Sequence, residues 1–120
     1  MKQILVVDDE KQNRQMIERY LNRNGYGVRT AASGDEAMGQ MAAEAFDLVI
    51  TDIDMPGGVS GNDLARSLRE SGDTPFPIIA MSGRFDSVAP GLFDFFLYKP
   101  FSLQSLGDLI PRLIQPRRTI

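Results

Sequence analysis

Two apolar, β-rich runs each stop on acid: Ile4-Leu5-Val6-Val7 on Asp8-Asp9, and Leu48-Val49-Ile50-Thr51 on Asp52. An apolar run of this length with no polar alternation suits a strand covered on both faces, as in a parallel sheet between two layers of helices. In such open sheets the carboxyl ends of the strands line the ligand crevice. Both runs therefore bring carboxylates to one edge. Two later runs behave alike, with Ile78-Ile79-Ala80-Met81 ending on Ser82 and Phe95-Phe96-Leu97-Tyr98 ending on Lys99. An edge that carries acids, a hydroxyl and one ammonium suits phosphate and a divalent cation.

The segments between the runs are helical in period. From Gln12 to Asn24, Met16, Ile17, Tyr20 and Leu21 form a stripe, and Asn24-Gly25 is a stop signal. Gly27 to Ala31 reads as a short strand. Ser33, with Glu36 three residues on, forms a capping box that opens a helix whose face runs through Ala37, Met38, Met41 and Ala45. Asn62 is expected to cap a helix carrying Leu64, Ala65 and Leu68, with Gly72 ending it, and Pro75 and Pro77 introduce the next strand. Leu103 to Leu113 is a final helix bearing Leu106, Leu109 and Ile110. Strands alternating with helices predict an α/β fold, a doubly wound parallel sheet with right-handed crossovers and helices on both faces. Between Phe85 and Asp94, Pro90-Gly91 leaves little room, so the fourth helix is expected to be short or absent.

A chain of 120 residues is expected to form one domain over 1–120, with 115–120 as a tail or linker stub. No stretch is long and apolar enough to span a bilayer, and Met1-Lys2-Gln3 leads straight into a strand, so a cytoplasmic location and no membrane partner are expected. Cysteine and histidine are both absent, which removes thiolate and imidazole ligands and leaves oxygen to hold any metal. The net charge of −3 argues against direct nucleic-acid binding. Arg112, Arg117 and Arg118 are better read as complementing a helix C-terminus or starting a linker.

Asp8, Asp9 and Asp52 on neighbouring strand ends would repel one another unless a cation joined them. Magnesium fits, because it takes carboxylate, carbonyl, water and phosphate oxygens; no EF-hand loop favours calcium. Asp52, on the central strand, is the best candidate to attack a phosphoryl group and become an acyl phosphate. Lys99 would pair with a phosphoryl oxygen, and the Ser82 hydroxyl would donate to another.

Taken in order, Val7-Asp8-Asp9-Glu10, Asp52 with Met55-Pro56, Ser82-Gly83 and Lys99-Pro100-Phe101 resemble the receiver domain of two-component response regulators across nearly the whole chain. The resemblance implies a flavodoxin-like five-stranded sheet in the order 2-1-3-4-5. It implies a phosphoprotein rather than an enzyme acting on other substrates, one that assists its own phosphorylation and dephosphorylation. The phosphoryl group would come to Asp52 from a phosphohistidine on a histidine kinase or histidine phosphotransfer protein. Magnesium would be held by the side chains of Asp9 and Asp52, by the backbone carbonyl of Asp54, and by Asp8 through water. Ser82 and Phe96 would be the switch residues of this phosphorelay module, passing the signal to a downstream protein or output domain, and the resemblance admits a homodimer on phosphorylation. A cis Lys99-Pro100 peptide is also implied.

Three features depart from that pattern. The loop 55–61 is about one residue longer, with adjacent Gly57 and Gly58 that free the backbone. The interval from Ser82 to Lys99 is shorter. Asp54 and Arg84, each two residues past a site residue, have opposite charges and are expected to pair across the mouth and tune acyl-phosphate lifetime. Leu92, Phe93, Phe95, Phe96, Tyr98 and Phe101 are too many large groups for one strand's inner face; core burial is expected to take most of them, with a partner surface in place of the missing helix as the alternative for some.

Two other functions fit less of the chain. A receiver-like interaction module that works without phosphorylation would explain the altered fourth-helix region but not the retained Asp9, Asp52, Ser82 and Lys99. Asp52-Ile53-Asp54 also resembles the nucleophile motif of haloacid-dehalogenase-type phosphatases, although here the acidic pair precedes it and no later acids follow in context. A dinucleotide site fits least, because the first turn offers Asp-Asp-Glu where glycines are needed.

Overall fold

Five parallel strands, β1 (Gln3–Val7), β2 (Gly27–Ala31), β3 (Leu48–Asp52), β4 (Ile78–Ser82) and β5 (Phe95–Tyr98), lie in the order β2-β1-β3-β4-β5. They alternate with α1 (Lys11–Arg23), α2 (Gly34–Ala43), α3 (Gly61–Glu70) and α4 (Leu103–Leu113). The computed structural model describes residues 1–55, 57–71 and 76–114. Pro56, the Gly72 stop, Pro75 and the 115–120 tail with Arg117 and Arg118 lie outside the described residues.

The strand pleat sends successive side chains to opposite faces, and the core divides accordingly. Ile4, Val6, Leu48, Ile50, Ile79 and Met81 face α1 and α4, meeting Ile17, Leu21, Leu106, Leu109 and Ile110. Leu5, Val7, Val49 and Ile78 face α2 and α3, meeting Ala37, Leu64 and Ala65. Every residue of β3 and β4 is buried, which is why these strands show no polar alternation in sequence. Val7 pairs with both Ala31 and Thr51, Asp52 with Met81, and Ser82 with Tyr98, so all five strands end at one level. That level is the site.

The fourth helix is replaced by a single 3-10 turn at Phe85–Ser87. Helix α3 holds this short crossover in its place. Asn62 Nδ2 donates to the Ser87 carbonyl at 2.7 Å and its Oδ1 accepts from Ala89 N–H at 3.0 Å. Further along α3, Arg69 donates to the Leu92 carbonyl at 3.1 Å and pairs with Asp94 at 2.7 Å.

Local details differ from the sequence reading in places. Ser60, rather than Asn62, caps α3, in a reciprocal box with Asp63. Asn62 is turned instead toward the crossover. Ser33 caps α2 through Glu36 N–H, but the Glu36 carboxylate reaches Ala32 N–H rather than its own cap residue. Helix α2 stops at Ala43, which leaves Ala45 outside it and exposed. Met16 and Met38 are also exposed, because each lies at the outer margin of its stripe. Gly57 and Gly58 have φ of 71° and 45°, a region where a side chain would be strained.

Candidate functional site

Ladder hydrogen bonds continue past the strand ends and fix the backbone of the site. Asp8 N–H donates to the Ala31 carbonyl at 3.1 Å, Ile53 N–H to Met81 at 3.0 Å and Lys99 N–H to Ser82 at 2.8 Å. The Lys99-Pro100 peptide is cis. Helix α3 begins hard against this region: a Cβ on Gly61 would meet the Asp52 carbonyl oxygen, with Ile53 Cα 2.9 Å away. Only glycine allows that approach.

Within this frame one carboxylate oxygen from each of Asp8, Asp9 and Asp52 falls within 4.8 Å of the others. Asp8 and Asp52 are buried, while Asp9 is exposed. Lys99 Nζ reaches Asp52 Oδ2 at 3.2 Å and Asp8 Oδ2 at 3.4 Å. The other oxygen of Asp8 accepts from Glu10 N–H at 2.9 Å. Arg14 on α1 donates to the Asp8 carbonyl at 2.8 Å. A cavity of about 410 Å³ opens beside Asp8 and Lys99, bounded by Asn13 and Met16 of α1 and by Pro100 and Phe101.

Burial pushes the Asp52 carboxyl up to about 6; Lys99 opposes the rise and the neighbouring charge of Asp8 adds to it. Burial works against the Lys99 charge, but the two carboxylates outweigh it and raise the ammonium above its ordinary value. A carboxyl whose charge is disfavoured by burial, as at Asp52, is suited to a neighbouring cation. Three convergent carboxylates make an all-oxygen donor set for a hard divalent ion.

Ser82 is buried, and its hydroxyl lies 3.0 Å from Asp54 Oδ2, 3.1 Å from the Arg84 carbonyl and 3.1 Å from the Ser87 hydroxyl. Asp54 thus engages hydroxyls, and Arg84 pairs instead with Asp86 at 3.5 Å. The expected Asp54–Arg84 pair is not formed, because the 3-10 turn brings Asp86 to the guanidinium and Ser82 and Ser87 to the acid. Phe96 is half-buried and packs edge-on against Phe85 at 5.3 Å and Tyr98 at 6.1 Å. Of the large apolar set, Leu92, Phe93 and Phe101 pack on the core, whereas Phe95 and Tyr98 are exposed.

Nothing in the sequence marks Ser87, Asn62 or Arg14 plainly as residues of the site. Ser87 and Asn62 are brought in by the shortened crossover, and polar residues of that kind carry no signal until the path of the chain is known. Arg14 had one available clue, its position one helical turn into the segment after the acidic pair.

A doubly wound parallel sheet with acids, a hydroxyl and a lysine at its carboxyl edge defines a protein of flavodoxin-like fold. Residues 4–110 match the response regulator receiver domain, and the chain belongs to that family. The response regulator MprA of Mycolicibacterium vanbaalenii is 38% identical over 109 residues, 86% of this chain and 46% of that protein. The transcriptional regulatory protein ResD of Bacillus subtilis is 35% identical over 102 residues, 82% of this chain and 42% of that one. The chain therefore spans less than half the length of these relatives. The response regulator TrrA of Thermotoga maritima, solved in complex with Mg2+-BeF, aligns with a TM-score of 0.84 at 33% identity over 94% of this chain and 99% of its own. The chemotaxis response regulator CheY4 of Vibrio cholerae aligns with a TM-score of 0.85 at 29% identity over 94% and 98%.

Proposed function

We propose that this receiver domain takes a phosphoryl group onto Asp52 and reports it through Ser82 and Phe96. The observation that carries the reading is the position of Lys99 Nζ, 3.2 Å from Asp52 and 3.4 Å from Asp8, at the mouth of the three-carboxylate pocket. Asp52 Oδ attacks phosphorus, the P–N bond of a phosphohistidine breaks, and the imidazole keeps the bonding pair and takes up a proton from solvent. Lys99 follows the charge from the carboxylate to a phosphoryl oxygen and holds it as a fixed cation. Ser82 can donate its single proton to a second oxygen.

The donor set fits magnesium, with Asp9 and Asp52 as side-chain ligands, the Asp54 carbonyl as a third and Asp8 acting through water. The ion would neutralise carboxylate and phosphoryl charge. The TrrA relative was solved with Mg2+-BeF, which supports the same chemistry here. The domain assists its own phosphorylation and dephosphorylation without turning over an external substrate. Its donor is a histidine kinase or histidine phosphotransfer protein in the cytoplasm, and the output is a downstream protein or domain, in keeping with the greater length of MprA and ResD. Among the described residues no helix is long and apolar enough to cross a membrane.

Incubation with Mg2+ and acetyl phosphate, read by intact mass, tests this directly. The wild type gains one phosphoryl group, Asp52→Asn gains none, and chelation of the metal abolishes the gain. A wild type that stays unmodified under these conditions and is equally indifferent to beryllofluoride overturns the reading.

A further inference from the structure

The Ser82 hydroxyl has one proton and several claimants. Asp54 Oδ2 stands at 3.0 Å, and the Arg84 carbonyl and Ser87 Oγ both stand at 3.1 Å. The charged acceptor makes the stronger bond, so the proton goes to Asp54. Ser82 Oγ in turn accepts from Arg84 N–H at 3.0 Å. Ser87 closes the cluster, with its hydroxyl 2.8 Å from the Arg84 carbonyl, 3.1 Å from Ser82 and 3.5 Å from Asp54. With the Ser82 proton on Asp54, Ser87 is the only possible donor between the two hydroxyls, and its one proton is shared between Ser82 Oγ and the Arg84 carbonyl.

Ser87 is not placed there by the loop alone. The two hydrogen bonds from Asn62 grip the backbone on both sides of Val88, at the Ser87 carbonyl and the Ala89 N–H, and both are partly buried. Asn62 lies in the first turn of α3, the helix that abuts the Asp52 backbone through Gly61. The hydroxyl cluster and the phosphoacceptor are thus referred to the same helix end.

We propose that Ser87 is a positioning residue of the phosphoryl site: clamped by Asn62, it acts with Asp54 to hold the Ser82 hydroxyl in the unphosphorylated arrangement until a phosphoryl oxygen competes for it. This rests on the receiver chemistry proposed above. Removing the Ser87 hydroxyl weakens the resting arrangement and leaves the phosphoryl-bound one untouched. Affinity for a phosphoryl mimic rises by the strength of one modest hydrogen bond, about two- to tenfold.

The test is titration of the full chain with beryllofluoride in saturating Mg2+, followed by 19F NMR, for wild type, Ser87→Ala, Ser87→Thr, Ser82→Ala and the Ser82→Ala/Ser87→Ala double variant. Ser87→Ala binds more tightly than wild type, and Ser87→Thr, which keeps a hydroxyl, returns toward wild type. In the Ser82→Ala background the same change at residue 87 has no effect, because the group it positions is gone. An unchanged or weakened affinity for Ser87→Ala overturns the proposal, as does an equal effect with and without Ser82. A purely structural role would lower the thermal midpoint and leave both affinities alike. Failure of the wild type to bind beryllofluoride at all counts against the receiver chemistry, a result distinct from a wild type that binds while the residue-87 variants match it.

Discussion

Lys99 Nζ bridges Asp52 and Asp8, at 3.2 Å and 3.4 Å, and so lowers the cost of charge on Asp52. Burial has already pushed the Asp52 carboxyl up to about 6, with Lys99 as the largest opposing influence. Lys99→Ala therefore raises the Asp52 pKa further, and a 13C carboxylate titration of the metal-free protein should show the higher midpoint. On the proposed phosphoryl chemistry, the same substitution removes the fixed cation from the phosphoryl oxygen. Acetyl phosphate labelling should slow on the order of a hundredfold, as when one preorganised donor is removed from a site of developing negative charge. A labelling rate within a factor of about two of wild type would exclude this role for Lys99.

The Asp52 shift also sets a pH dependence of stability. Its folded value of about 6 lies above the ordinary 3.8, so the folded protein binds the extra proton between those values. The resulting stabilisation is full below about 3.8 and disappears as the pH rises through about 6. Above that, ionised Asp52 is a burden on the metal-free fold. Asp52→Asn should therefore stabilise the chelated protein near neutral pH, by on the order of 2 kcal/mol. The gain should shrink toward pH 4 and also on adding Mg2+, which relieves the wild type. Urea denaturation at several pH values, with chelator and with Mg2+, measures all three trends. A gain that is independent of pH would mean that Asp52 titrates alike in both states.

Arg69 should govern the order of the crossover rather than of the whole domain. Its guanidinium holds the Leu92 carbonyl at 3.1 Å and Asp94 Oδ2 at 2.7 Å, and that same oxygen accepts Ile78 N–H at 2.8 Å at the start of β4. Arg69→Ala leaves the 85–94 segment tied to α3 by the Asn62 hydrogen bonds and by the packing of Leu92 and Phe93. Hydrogen exchange at the amides of 85–94 should accelerate by about tenfold or more, while those of β1 and β3 change only with global stability. Equal acceleration in β1 would show that the pair acts on the entire fold.

The fold was legible because parallel strands buried on both faces leave long apolar runs, and because their ends carry the chemistry. β1, β3 and β4 show this plainly. The acids, Lys99 and Ser82 followed from those endings. What escaped was the company each group keeps. Asp54 and Arg84 have complementary charges and matching offsets, yet the 3-10 turn supplies Asp86 to one and two hydroxyls to the other. Asn62 looks like a helix cap, yet Ser60 takes that task and frees the amide to clamp residues 87–89. Sequence spacing reports which edge a residue reaches. It does not report the path of an irregular connection, and the partners of Ser82 all depend on that path.

Two glycines on neighbouring helices should respond to alanine in opposite ways. A Cβ at Gly61 meets the Asp52 carbonyl oxygen and comes within 2.9 Å of Ile53 Cα, both backbone atoms that cannot swing aside. Gly61→Ala must therefore push α3 away from the β3 end, at a cost of about 1–3 kcal/mol or more. Because that backbone presents Asp52, phosphoryl labelling should fall by more than the loss of stability explains at temperatures where the variant is fully folded. Gly39, inside α2 and exposed, has nothing within 4 Å of its added Cβ and does not need a positive φ. Gly39→Ala removes backbone freedom from the unfolded chain and should stabilise by roughly 0.5–1 kcal/mol, with labelling unchanged. Thermal denaturation and acetyl phosphate labelling of both variants separate crowding at the site from a general effect on helices. If Gly61→Ala labels as fast as Gly39→Ala, the close approach of α3 has no part in presenting Asp52 for the proposed reaction.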